Sequence, residues 1–133
     1  MVQFGMRDVR AARLRRVKRR RFELLVRRGL RLLPEPVQRK LDNVAIVVED
    51  EPANDRKGQP EPLFGLYEGQ PLTERGGDYS MILPDKITLY RVPLEDAFPD
   101  RLELARQVRI TLIHELAHHF GIDEDRIEEL GWQ

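Results

Sequence analysis

Two histidines and a glutamate within five residues, His114-Glu115-Leu116-Ala117-His118, are the side chains of this 133-residue sequence best suited to chemistry. On a helix, a turn of about 100° per residue sets His114 and His118 about 40° apart, so both imidazoles aim at one point and one metal ion can bridge them. Imidazole is a good ligand for Zn²⁺, and a catalytic zinc site takes such ligands, a further one and an open position for water. Glu115 lies beside that position. A zinc ion lowers the pKa of its water toward about 7, and a glutamate so placed takes the proton as the water attacks a polarised amide carbonyl. It can then pass that proton to the leaving amine. The expected chemistry is hydrolysis by a metal-activated water with Glu115 as general base.

Gly121 stands three residues after His118, where a glycine can take a left-handed conformation, end the helix and turn the chain back toward the metal. The third ligand is expected after that turn, where Asp123, Glu124 and Asp125 all offer oxygen. His119 projects about 100° away from His118, toward the edge of the apolar face, and reads as a packed or hydrogen-bonded core histidine.

The supporting helix should begin at Asp100, which follows Pro99 and precedes Glu103 by three residues: the aspartate caps backbone N–H groups and the glutamate reaches back. Leu104, Val108, Leu112, Ile113, Leu116 and Phe120 cover the side away from the histidines, so burying them leaves the histidines directed into a cleft. Asp123 opens a short last helix ending near Leu130, with Gly131 as C-cap. Upstream, Phe22, Leu25, Val26, Gly29, Leu30 and Leu33 recur at helical spacing, and Pro34 and Pro36 close that helix. Asn43 to Val48, Leu63 to Tyr67 and Ile87 to Val92 read as strands, with Met81 to Leu83 as an optional fourth. Glu51 to Pro62, with three prolines, reads as a surface loop. The fold class expected is α+β: a small mixed sheet, an N-terminal helix, a long helix bearing the histidines and a short C-terminal helix.

One domain suits this length. The absence of cysteine excludes a disulfide framework, a thiolate zinc finger, a catalytic thiol and a cysteine cap on the metal, and makes the cytoplasm the default compartment. No apolar run approaches the roughly 18 residues a membrane span needs. The basic start lacks the apolar core of a signal peptide, although an Arg-rich leader also suits an organellar transit peptide. Zero net charge conceals an asymmetry: residues 1–40 carry 14 Arg or Lys against 3 Asp or Glu, and the remainder 9 against 20. Residues 1–20 are therefore read as a basic extension and 21–133 as the domain. The extension either contacts an anionic partner or is attracted to the acidic body. A dimer is compatible with the sequence.

The run His114-Glu115-x-x-His118-x-x-Gly121 resembles the zincin metallopeptidases, and specifically the branch with an acidic third ligand, in the pattern HExxHxxGxxD. Glu124 occupies the place of that aspartate, which implies His114, His118 and Glu124 as zinc ligands, with Asp123 and Asp125 as neighbours able to substitute. The chain after the basic segment is also similar to the bacterial mini-zincins, through the helix around Phe22 to Leu33, Leu66-Tyr67-Glu68-Gly69, Pro71-Leu72-Thr73 and Leu83-Pro84-Asp85-Lys86-Ile87. The resemblance implies a minimal zincin fold and a peptide or unfolded-protein substrate added along a sheet edge. It also implies a terminal aromatic, Trp132, packed beneath the ligands or anchoring the last helix. The last methionine is Met81, so support from a downstream methionine turn is missing. Tyr67, Tyr79 and Tyr90 are candidate oxyanion donors whose alternative role is structural. Minimal size leaves a second expectation open, a regulatory zincin-fold module without turnover.

Overall fold

The computed structural model describes residues 5–53, 62–69, 84–121 and 124–129. Helix α1 (Met6–Arg31) joins the basic segment and the apolar segment into one 26-residue rod. Its second half buries Phe22, Leu25, Val26 and Gly29, at the predicted spacing, whereas no residue from 6 to 21 is buried. Pro34 then does more than end a helix. It stands at the N-cap of α2 (Glu35–Leu41), with Pro36 in the first turn, where the missing N–H has no helical partner to lose.

Three strands follow among the described residues: β1 (Val44–Glu49), β2 (Gly65–Glu68) and β3 (Asp85–Tyr90). They form a mixed sheet in the order β1-β3-β2, with β1 parallel to β3 (Val48 opposite Leu89) and β2 antiparallel to it (Tyr67 opposite Ile87). The central strand is buried throughout Ile87–Tyr90, as a strand flanked on both sides should be. It starts two residues before the expected Ile87 and stops at Tyr90, because Arg91 opens α3 (Arg91–Ala97). Neither α2 nor α3 was expected; each is one or two turns long, and a proline in the first turn reads as a breaker.

Arg91 ties this corner together. Its guanidinium is only 5% exposed and bonds to Asp50 at 3.0 Å and Glu95 at 2.9 Å. Burial pushes its pKa down, but the bond to Asp50 and the charges of both carboxylates outweigh that, and the net direction is upward. The Val92 N–H also donates to the Asp50 carbonyl, so the end of β1 and the start of α3 are fastened twice.

Helix α4 (Arg101–His119) begins where expected: the Asp100 carboxylate accepts the Glu103 N–H at 3.0 Å. The return bond is not made, since the Glu103 carboxylate accepts from the Gln107 amide at 2.8 Å. Leu104, Val108, Leu112, Ile113 and Leu116 are buried, with Ala117, against α1 and the sheet in one core that also takes Val37, Leu41, Val48, Ile87, Leu89 and Leu94. Phe120 departs from the expected apolar face. It is 49% exposed at the C-cap, where the chain is leaving the helix, and the Lys40 ammonium sits 4.8 Å from its ring centre. Helix α5 (Glu124–Glu129) follows. Met81–Leu83 and Trp132 lie outside the described residues. The fold is α+β, and no described helix is long and apolar enough to cross a membrane.

Candidate active site

Gly65 lets β2 lie directly against α4. A Cβ at this position would stand 2.7 Å from Thr111 Cγ2, closer than carbon atoms tolerate, and a tight 3.2 Å from the Thr88 carbonyl oxygen. From that contact the two elements keep step, because a helix rises about 6 Å in four residues and a strand about 6.7 Å in two. Gly65, Tyr67 and Gly69 thus meet Thr111, Glu115 and His119 in turn.

The middle pair carries the chemistry. The Tyr90 N–H donates to the Phe64 carbonyl, so alternation along the antiparallel pair turns the Tyr67 N–H away from β3. Glu115 Oε2 accepts that N–H at 3.1 Å. One carboxylate oxygen of the half-buried Glu115 is therefore anchored on the backbone of the outer strand, and the other is the one left for a further donor.

His114 is half-buried and His118 exposed, one turn apart in the last turns of α4 on either side of Glu115 in sequence. Gly121 then adopts φ 70°, the left-handed turn expected of it. Glu124 opens α5 three residues later. Its side chain, like Asp123, lies outside the described residues, whereas Asp125 is exposed. Among the described residues no group of three or more His, Cys, Asp or Glu gathers to hold a metal ion. What is present suits zinc by the chemistry of its donors: two imidazoles one turn apart, and a glycine turn leading into an acidic segment able to supply an oxygen.

His119 differs from its expected place in the core. It is packed at the surface, its ring stacked on Tyr67 with centres 4.0 Å apart and planes 15° from parallel, and its Nε2 is 3.7 Å from Asp85 Oδ2. The Tyr67 hydroxyl donates to the same oxygen at 2.8 Å. Burial, then the bond to Asp85 and its charge, push the Tyr67 pKa up to about 12. Its phenol is thus committed to Asp85, the structural alternative weighed for it. Tyr90 is buried, and Tyr79 lies outside the described residues. The Tyr67–Asp85–His119 cluster was missed from sequence because its members are 18 and 34 residues apart and no local spacing links them.

Comparison with known proteins finds relatives of this chain. Residues 41–132 match a family model described as zincin-like metallopeptidase. Among solved structures, a conserved hypothetical protein from Thermus thermophilus is similar at 27% identity with a TM-score of 0.54, over 77% of this chain and 92% of that one. No curated protein matches the chain.

Proposed function

Because the chain belongs to the zincin-like metallopeptidase family, we propose that it is a zinc-dependent peptidase in which His114, His118 and Glu124 hold Zn²⁺ and Glu115 is the general base. The observation that carries this reading is the anchoring of the Glu115 carboxylate by the Tyr67 N–H, between the two histidines of one helix. Zinc bound there supplies Lewis acidity, which acidifies water and polarises a carbonyl. The residues of the chain do the rest. Holding Oε2 on β2 fixes the carboxylate plane and presents Oε1 to receive a proton from the attacking water and return it to the leaving amine. The outer strand beside this carboxylate suits an extended peptide or unfolded segment as substrate.

Purified protein supplied with zinc should cleave a diverse peptide library, and Glu115→Gln should cut cleavage at least about a hundredfold. Equal cleavage by the variant would sink the mechanism. Calorimetric zinc titration should show one site that disappears in His114→Ala and His118→Ala. Zinc uptake without cleavage of any peptide would instead assign the scaffold a regulatory, non-hydrolytic role. The cysteine-free composition favours a cytoplasmic setting, and the exposed basic half of α1 supports a second property, contact with an anionic partner.

A further inference from the structure

The first half of α1 carries more than charge. Taking about 100° per residue, the exposed apolar side chains Met6, Val9, Leu14, Val17 and Leu24 fall within about 140° of arc, centred far round the helix from the buried Phe22, Leu25, Val26 and Gly29. Met6 is 72% exposed and Leu14 54%, so the stripe is open to solvent. Arg10, Arg13, Arg20 and Arg21 lie in the same arc. The helix has two acids, Asp8 and Glu23, and both fall outside it. Arg19, also outside the arc, is occupied with Glu23 and the Val48 carbonyl.

We infer that this face of α1 docks on an anionic lipid bilayer, lying in the plane of the headgroups. Apolar side chains sink between headgroups while the long arginines interspersed on the same arc snorkel, laying their aliphatic stems along the bilayer and their guanidinium groups against lipid phosphates and carboxylates. From Met6 to Leu24 the stripe runs about 27 Å, long enough to lie flat over several lipids. A nucleic acid would use the arginines but leave the apolar stripe idle, and the stripe has no aromatic ring to stack on bases. A second copy laid α1 against α1 would set arginine arc against arginine arc. The inference specifies the partner of the basic helix and rests on the anionic-partner reading, while the peptidase reading can fail without touching it.

The test is co-sedimentation of the full chain with vesicles of phosphatidylcholine alone and of phosphatidylcholine and phosphatidylserine in equal parts. The expected result is binding to the second and not the first. Two variants separate the contributions, both placed where α1 buries nothing, with the thermal melt checking that the body is intact. Replacing Arg10, Arg13, Arg20 and Arg21 by Gln should weaken binding about a hundredfold or more. Replacing Met6, Val9, Leu14 and Val17 by Gln, which keeps every charge, should weaken it about tenfold. Equal binding by the apolar variant would overturn the inference, because charge alone would then suffice. So would failure to bind phosphatidylserine vesicles, whether or not a single-stranded RNA is bound under the same conditions. Binding by Glu115→Gln should equal that of the parent chain.

Discussion

A charged side chain from a helix reaches the backbone of each outer strand of the described sheet, and the two contacts serve different ends. On β1, Arg19 of α1 donates to the Val48 carbonyl while its Nε faces Glu23 at 3.4 Å, so the cation is shared between a strand and its own helix. On β2, Glu115 of α4 accepts the Tyr67 N–H through one oxygen only. The first contact puts two of the five guanidinium N–H donors on a helix and a strand and serves only to fasten them. The second orients a carboxylate and leaves half of its capacity available for chemistry. What separates a fastening from a working group here is the second oxygen, since both pin a helix to a strand.

The contrast breaks first at Glu115. Glu115→Gln keeps an oxygen for the Tyr67 N–H but removes the base, so peptide cleavage should fall about 10²- to 10⁴-fold with an unchanged melting temperature, read by turnover and calorimetry together. Gly65→Ala attacks the seat of β2 instead. The added methyl must displace Thr111 Cγ2, with a loss of about 2 kcal/mol in urea unfolding, and Thr111→Ser in the same chain should restore more than half of it. Arg19→Ala, at the other edge, should cost only about 0.5 kcal/mol, because its side chain is 41% exposed, and should leave cleavage untouched. A loss of cleavage there would erase the distinction between the two edges.

The last effect is confined to alkaline pH. With its pKa pushed up to about 12, Tyr67 keeps its proton more tightly folded than unfolded. Its contribution to stability is therefore whole below the ordinary tyrosine value of 10.0 and is lost as pH rises toward 12. Ultraviolet titration of the tyrosines should include a late step that Tyr67→Phe removes. If all three titrate together near 10.0, the bond to Asp85 does not hold in solution.

Most of what surrounds the histidines was legible because it is local. Asp100, the apolar spacing through Leu116 and the left-handed Gly121 all act within a few residues of themselves, and periodicity reports such effects directly. The same holds for the three described strands, whose ends all lie within two residues of expectation, the third stopping at Tyr90 because Arg91 opens α3. What stayed hidden is non-local or dual in meaning. A proline two or three residues into a short helix looks like one after a long helix, which concealed α2 and α3. Gly65 fell inside the expected second strand without a role there, because only the proximity of Thr111, 46 positions onward, gives it one. Glu115 was identified as a base, but its anchor on Tyr67 is a main-chain group that carries no residue-type signal.

The alternation of Gly65, Tyr67 and Gly69 along Thr111, Glu115 and His119 also works as a key with one seating. Slide β2 by one pleat in either direction and a large side chain, Leu63 or Tyr67, arrives at the spot where even a methyl group stands 2.7 Å from Thr111. Such a shift would preserve strand pairing and in-out alternation, so the sheet alone offers weak defence against it. Steric exclusion at one glycine supplies that defence, and it makes the alignment of carboxylate and backbone a discrete choice, with no continuum of nearly correct positions for the base to occupy.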